Sequence, residues 1–184
     1  MADGGEPATQ PHTTHVREIL PRSASIIEAF RDTTRNDHPG QHVLDTANDL
    51  AVHHQQQWQA EDASRASGAS AEDIAASKRL IDELNARRVA LVEQIDEWAA
   101  GQIHSRADAS LHTETLGSVI DRLAIAWVRS NSLINSGEAR DRARLALRQL
   151  AELADAYDDL IRDVATGHRR LPSWLPLKTY RSAS

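Results

Sequence analysis

Residues 74–99 read IAASKRLIDELNARRVALVEQIDEWA. The 3-4-3-4 spacing of a bundle helix runs through Ile74, Lys78, Ile81, Asn85, Arg88, Val92, Ile95 and Ala99. It predicts a long helix whose seam carries Lys78, Asn85 and Arg88 among apolar residues. The preceding segment repeats the pattern, with Leu44, Ala47, Ala51, His54, Trp58, Glu61 and Arg65 on one seam. The last long segment is the internal control. Ala139, Ala143, Ala146, Leu150, Leu153, Tyr157, Leu160 and Val164 share its spacing and none is charged. A buried charge is costly unless it is paired, so a polar seam calls for a ligand or a set of ion pairs.

Outside these segments the chain stays helical in character. Aromatic residues are scarce, alanine is abundant, and strand formers never alternate over a useful length. Residues 1–14 form a polar tail expected to be disordered. A bundle domain follows over 15–168, and 169–184 form an extended strap. A short helix is expected over 23–34 and long helices over 41–66, 70–100, 113–134 and 138–166. Ser70 with Asp73 makes a capping box. Gly101 and Gly167 are expected to end the second and fourth long helices. The fold expected is all-α, an up-down-up-down four-helix bundle with an extra short N-terminal helix and a C-terminal strap.

Composition narrows the function. There is no cysteine, which removes disulfides, thiolate metal sites and a Cys nucleophile. The net charge of -6 argues against general nucleic-acid binding. The N-terminus lacks the apolar core of a secretory signal, and no apolar run approaches a membrane span. The expectation is a cytoplasmic protein with a small-molecule partner, no nucleic acid and no membrane; a homodimer is compatible with the chain. Only Lys78 and Lys178 are lysines among 21 basic residues, so a lysine on a seam stands out. Lysine offers a compact charge of tunable pKa that arginine does not.

Two constellations carry the chemistry. In a hairpin turning about Gly68, His54, Trp58, Glu61, Asp62 and Arg65 meet Lys78, Asp82, Asn85 and Arg88. Asp62, Lys78 and Asp82 are the candidate catalytic groups, with the others binding an anionic or sugar-like ligand. The competing reading is a structural network pairing Glu61 or Asp62 with Lys78 and Asp82 with Arg88. The second constellation is Thr115, Gly117, Ser118, Asp121 and Arg122. Hydroxyls and free N–H groups at a helix N-terminus suit an anion, whereas an N-cap with a close helix crossing at Gly117 is the plainer account. No metal site is expected: Glu-x-x-His and His-Glu-x-x-His are absent, and the spacing of Glu61, Asp62 and Asp82 does not demand magnesium. No cofactor is called for. The Arg-to-His spacings of helical RNases occur at chance frequency.

These blocks resemble the bacterial family known as domain of unknown function 4254. Trp58, Glu61, Asp62 and Arg65 fit its W-x-x-E-D-x-x-R. Lys78, Arg79, Ile81, Asp82, Asn85, Arg88, Glu93, Ile95 and Asp96 fit its second block. Thr113, Glu114, Thr115, Gly117, Ser118, Ile120, Asp121, Arg122 and Leu123 fit its third. Val89-Ala90 replaces the family's Asn-Asp, and Leu116 replaces its Pro. The resemblance implies a bacterial cytoplasmic helical protein of a carbohydrate or secondary-metabolite pathway and supplies no activity. Two functions follow as expectations. One is binding or turnover of a small anionic or sugar-containing metabolite, such as a nucleotide sugar. The other is a non-enzymatic scaffold with a structural polar seam.

Overall fold

In chain order the helices are α1 (Ser23–Ala29), α2 (Gln41–Ser64), α3 (Ala71–Gln102), α4 (Leu116–Asn135) and α5 (Arg140–Ala165). Two short strands, β1 (Ser110–Leu111) and β2 (Arg169–Arg170), complete the elements. The computed structural model describes residues 16, 18–32, 37–64, 70–136 and 140–172. The expected tail over 1–14, Arg65, the turn at Gly68 and the strap beyond Pro172 lie outside the described residues. The fold is all-α, a helical bundle with a minimal two-stranded sheet.

α4 organises the bundle because it packs against every other described helix. α2 and α3 pack along each other, and both pack on α4. α5 packs mainly on α4 and α1. The core runs through Leu50, Ile95, Leu116, Ile120, Leu123 and Tyr157, all buried. Tyr157 donates its hydroxyl to the Pro21 carbonyl at 2.9 Å, and Asp158 accepts from the Ser23 backbone N–H at 2.8 Å, which pins α1 to α5.

The seams expected on α2 and α5 face inward. Leu44, Ala47, Ala51 and His54 are buried on α2, and Ala146, Leu150, Tyr157, Leu160 and Val164 on α5. α3 differs. Its inward line is Ser77, Ile81, Leu84, Arg88, Leu91, Ile95 and Trp98. Ile81, Arg88, Ile95 and Ala99 were expected inward and are, but after Ile81 and Arg88 the buried positions lie three residues on rather than four. Leu84 and Leu91 therefore take the inner side, while Ile74, Lys78 and Asn85 are exposed. The physical reason is plain hydrophobicity: two leucines gain more from burial than a lysine and an asparagine.

The element ends follow capping chemistry. Ser70 Oγ accepts from the Asp73 N–H at 3.1 Å and the Asp73 carboxylate accepts from the Ser70 N–H at 3.0 Å, the expected capping box. α1 stops at Ala29, short of the expected 34, where Asn48 Nδ2 donates to the Ala29 carbonyl at 2.7 Å. α3 runs through Gly101, which faces open space, and ends where the Ile103 N–H reaches the Ala99 carbonyl at 2.8 Å. Gly167 does close α5. At φ 74° its N–H reaches the Val164 carbonyl at 3.1 Å, and His168 N–H reaches Asp163 at 2.9 Å. The chain then enters β2, which pairs in parallel with β1, so the segment between α3 and α4 is tied to the start of the strap. Among the described residues no helix is long and apolar enough to cross a membrane.

Candidate functional site

Asp121 is a charged group buried on α4, with 2% of its surface exposed. Three helices meet on its carboxylate. His54 Nε2 from α2 lies 2.7 Å from Oδ1, and Arg88 Nε from α3 donates to the same oxygen at 2.9 Å. Arg88 Nη2 donates to Oδ2, which makes the pair bidentate. Burial alone would raise the Asp121 carboxyl, but the hydrogen bonds and charges of His54 and Arg88 outweigh it and hold the group below the ordinary carboxylate range. An ionised carboxylate can only accept, so His54 carries its proton on Nε2 and keeps Nδ1 as an acceptor when neutral. A carboxylate-oriented imidazole of this kind suits proton transfer.

Above this group lies a cleft of about 220 Å³. α2 contributes His54, Gln57, Trp58 and Glu61, which fall on one face at helical spacing. α3 contributes Arg88. The floor on α4 is Ile125 and Val128, and Arg129 stands at the edge. The cleft thus offers an aromatic wall, two guanidinium groups and an acid. Of the residues expected in the first constellation, His54, Trp58, Glu61 and Arg88 come together here. Asp62, Lys78, Asp82 and Asn85 do not: all four are exposed and none lines the cleft. The single cluster joining Asp62, Lys78, Asp82, Asn85 and Arg88 is corrected accordingly, because the inward line of α3 passes through Leu84 instead. Arg65 lies outside the described residues.

The second constellation divides. Asp121 lies behind the cleft, where it holds the lining residues His54 and Arg88. Thr115 is the N-cap of α4, its Oγ1 accepting from the Ser118 N–H at 3.2 Å. A Cβ on Gly117 would collide with the Val92 carbonyl oxygen and come 2.9 Å from Asp96 Oδ1. The close helix crossing is therefore the reason for the glycine. The N-terminus of α4 is already occupied by a carboxyl group, since Asp96 Oδ1 accepts from the Gly117 N–H at 2.7 Å. Burial pushes that carboxyl above the ordinary range. Arg122 pairs with Glu114 on the surface.

Four lining residues escaped the sequence reading: Gln57, Ile125, Val128 and Arg129. Arg129 lies seven residues after Arg122 on the same helix stripe, a spacing that could have marked it. His53 was missed as well. It is buried beside His54, with ring centroids 5.2 Å apart, and neither ring nitrogen has a hydrogen-bond partner. Among the described residues no group of three or more His, Asp or Glu is placed to hold a metal ion.

A family model described as a protein of unknown function (DUF4254) matches residues 44–173. The chain belongs to the DUF4254 family. The DUF4254 match takes in α2 from Leu44 onward, all of α3, α4 and α5, and both strands. No curated protein and no solved structure matches the chain.

Proposed function

We propose that this chain binds a small anionic or sugar-containing metabolite in the cleft between α2, α3 and α4. The observation that carries the reading is the convergence of Trp58, Glu61 and Arg88 around an opening that His54, held by the buried Asp121, also lines. Trp58 supplies a face for a ring, Arg88 a charge for an anion, and Glu61 an acceptor for a hydroxyl. His54, oriented by Asp121, supplies the proton-transfer group for any turnover of the ligand. The wider setting we assign is a bacterial cytoplasmic protein of carbohydrate or secondary-metabolite biosynthesis, and its support is the family resemblance.

A second reading is favoured by one observation. The His54–Asp121–Arg88 group ties three helices together, as the glue of a non-enzymatic interaction protein would. Native mass spectrometry of the protein purified from its own cells separates the two. A small-molecule adduct that is lost in Glu61→Gln, with an unchanged melting temperature, supports the ligand site. An adduct-free protein that also shows no melting shift with millimolar sugar phosphates supports the scaffold.

A further inference from the structure

A second depression of about 460 Å³ runs between α4 and α5, and Ile125 and Arg129 line both it and the cleft. On the far side α5 contributes Gln149, Glu152 and Leu153. The two openings therefore flank a single stripe of α4 side chains. We propose that they are two lobes of one site crossing α4 at Arg129, and that the ligand is a two-part anion: two organic groups joined by a phosphate-type linker seated on that guanidinium. This rests on the cleft being a ligand site.

Three observations carry the proposal. The cleft alone, at about 220 Å³, falls below the roughly 300–1,000 Å³ of ordinary small-molecule sites, and joining the second lobe brings it within that range. Arg129 is exposed at the junction and has no ion pair among the described residues, unlike Arg88 and Arg122, which hold Asp121 and Glu114. Charge is also distributed to suit a linker in the middle. Each lobe is lined by one acid, Glu61 in the cleft and Glu152 in the second lobe, and by one arginine of its own, Arg88 and Arg122, while Arg129 lines both. The acid of each lobe accepts hydroxyl groups, and the shared cation meets the linker.

The test is calorimetric titration with a panel of nucleoside diphosphate hexoses and, as their halves, hexose phosphates and nucleoside monophosphates. The expected result is one conjugate binding at least about tenfold more tightly than either half. Arg129→Met removes that advantage, Arg129→Lys restores part of it, and Gln149→Trp, which crowds only the second lobe, also lowers it. Binding of a hexose phosphate that Glu61→Gln abolishes but Arg129→Met and Gln149→Trp leave alone would overturn the two-lobed site while leaving the cleft reading intact. No binding by any conjugate overturns it as well, and loss of all hexose phosphate binding removes the cleft reading too.

Discussion

His54 Nε2 stands 2.7 Å from Asp121 Oδ1, joining α2 to α4 through a carboxylate that water scarcely reaches. Arg88 from α3 completes the group. Removing the carboxylate leaves two donors facing a buried gap. Asp121→Ala is therefore expected to cost about 2–3 kcal/mol, below the usual cost of breaking a fully buried pair because Arg88 stays 39% exposed and partly screened. Denaturant melts of Asp121→Ala and Asp121→Asn check this, with the asparagine variant retaining part of the loss.

Gly117→Ala is expected to destabilise the fold. Helix propensity alone would favour alanine by about 1 kcal/mol. The new methyl meets the backbone of Val92, which cannot rotate away, so overpacking of about 1–3 kcal/mol outweighs the gain. A variant that melts higher than the wild type would show that α3 yields at this crossing.

Stability should also depend on His53. Burial first, then His54, Arg87 and Arg88, holds its ring down at about 4 against an ordinary 6.5, with Asp121 acting the other way. The unfolded chain takes up this proton near pH 6.5 and the folded chain only near pH 4. Its contribution is therefore complete above pH 6.5 and is lost as pH falls toward 4, by on the order of 3 kcal/mol. His53→Phe loses no hydrogen bond and should flatten this acid limb. Equal slopes in the two proteins across that window would contradict the assignment.

Lys78→Met should change stability by no more than about 0.5 kcal/mol, as expected of an exposed position away from special features. Thermal melts measure it. A large loss would mean that Lys78 holds a partner.

Much of the bundle was legible in the residues. α5 carries one clean apolar line, and α2 carries a line whose polar members, His54, Trp58 and Glu61, mark the cleft. On α3 two lines share Ile81, Arg88 and Ile95, so spacing alone admits both. Leu84 and Leu91 decide between them, and weighing their burial against that of Lys78 and Asn85 would have found the right one. Asp121 and Gly117 were singled out, but their roles depend on Arg88, Val92 and Asp96. Contacts between α3 and α4 are set by the helix crossing, which no local spacing records. Arg129 reaches the cleft only because α4 lies between α2 and α5, and that placement is tertiary.

The most direct measurement is a crystal structure of the full chain soaked in a hexose phosphate. New density is expected, bounded by Trp58, Glu61 and Arg88, beside an unbroken His54–Asp121 contact. An empty cleft, with the same compound bound in no place or only at the exposed face of Lys78 and Asn85, would contradict it.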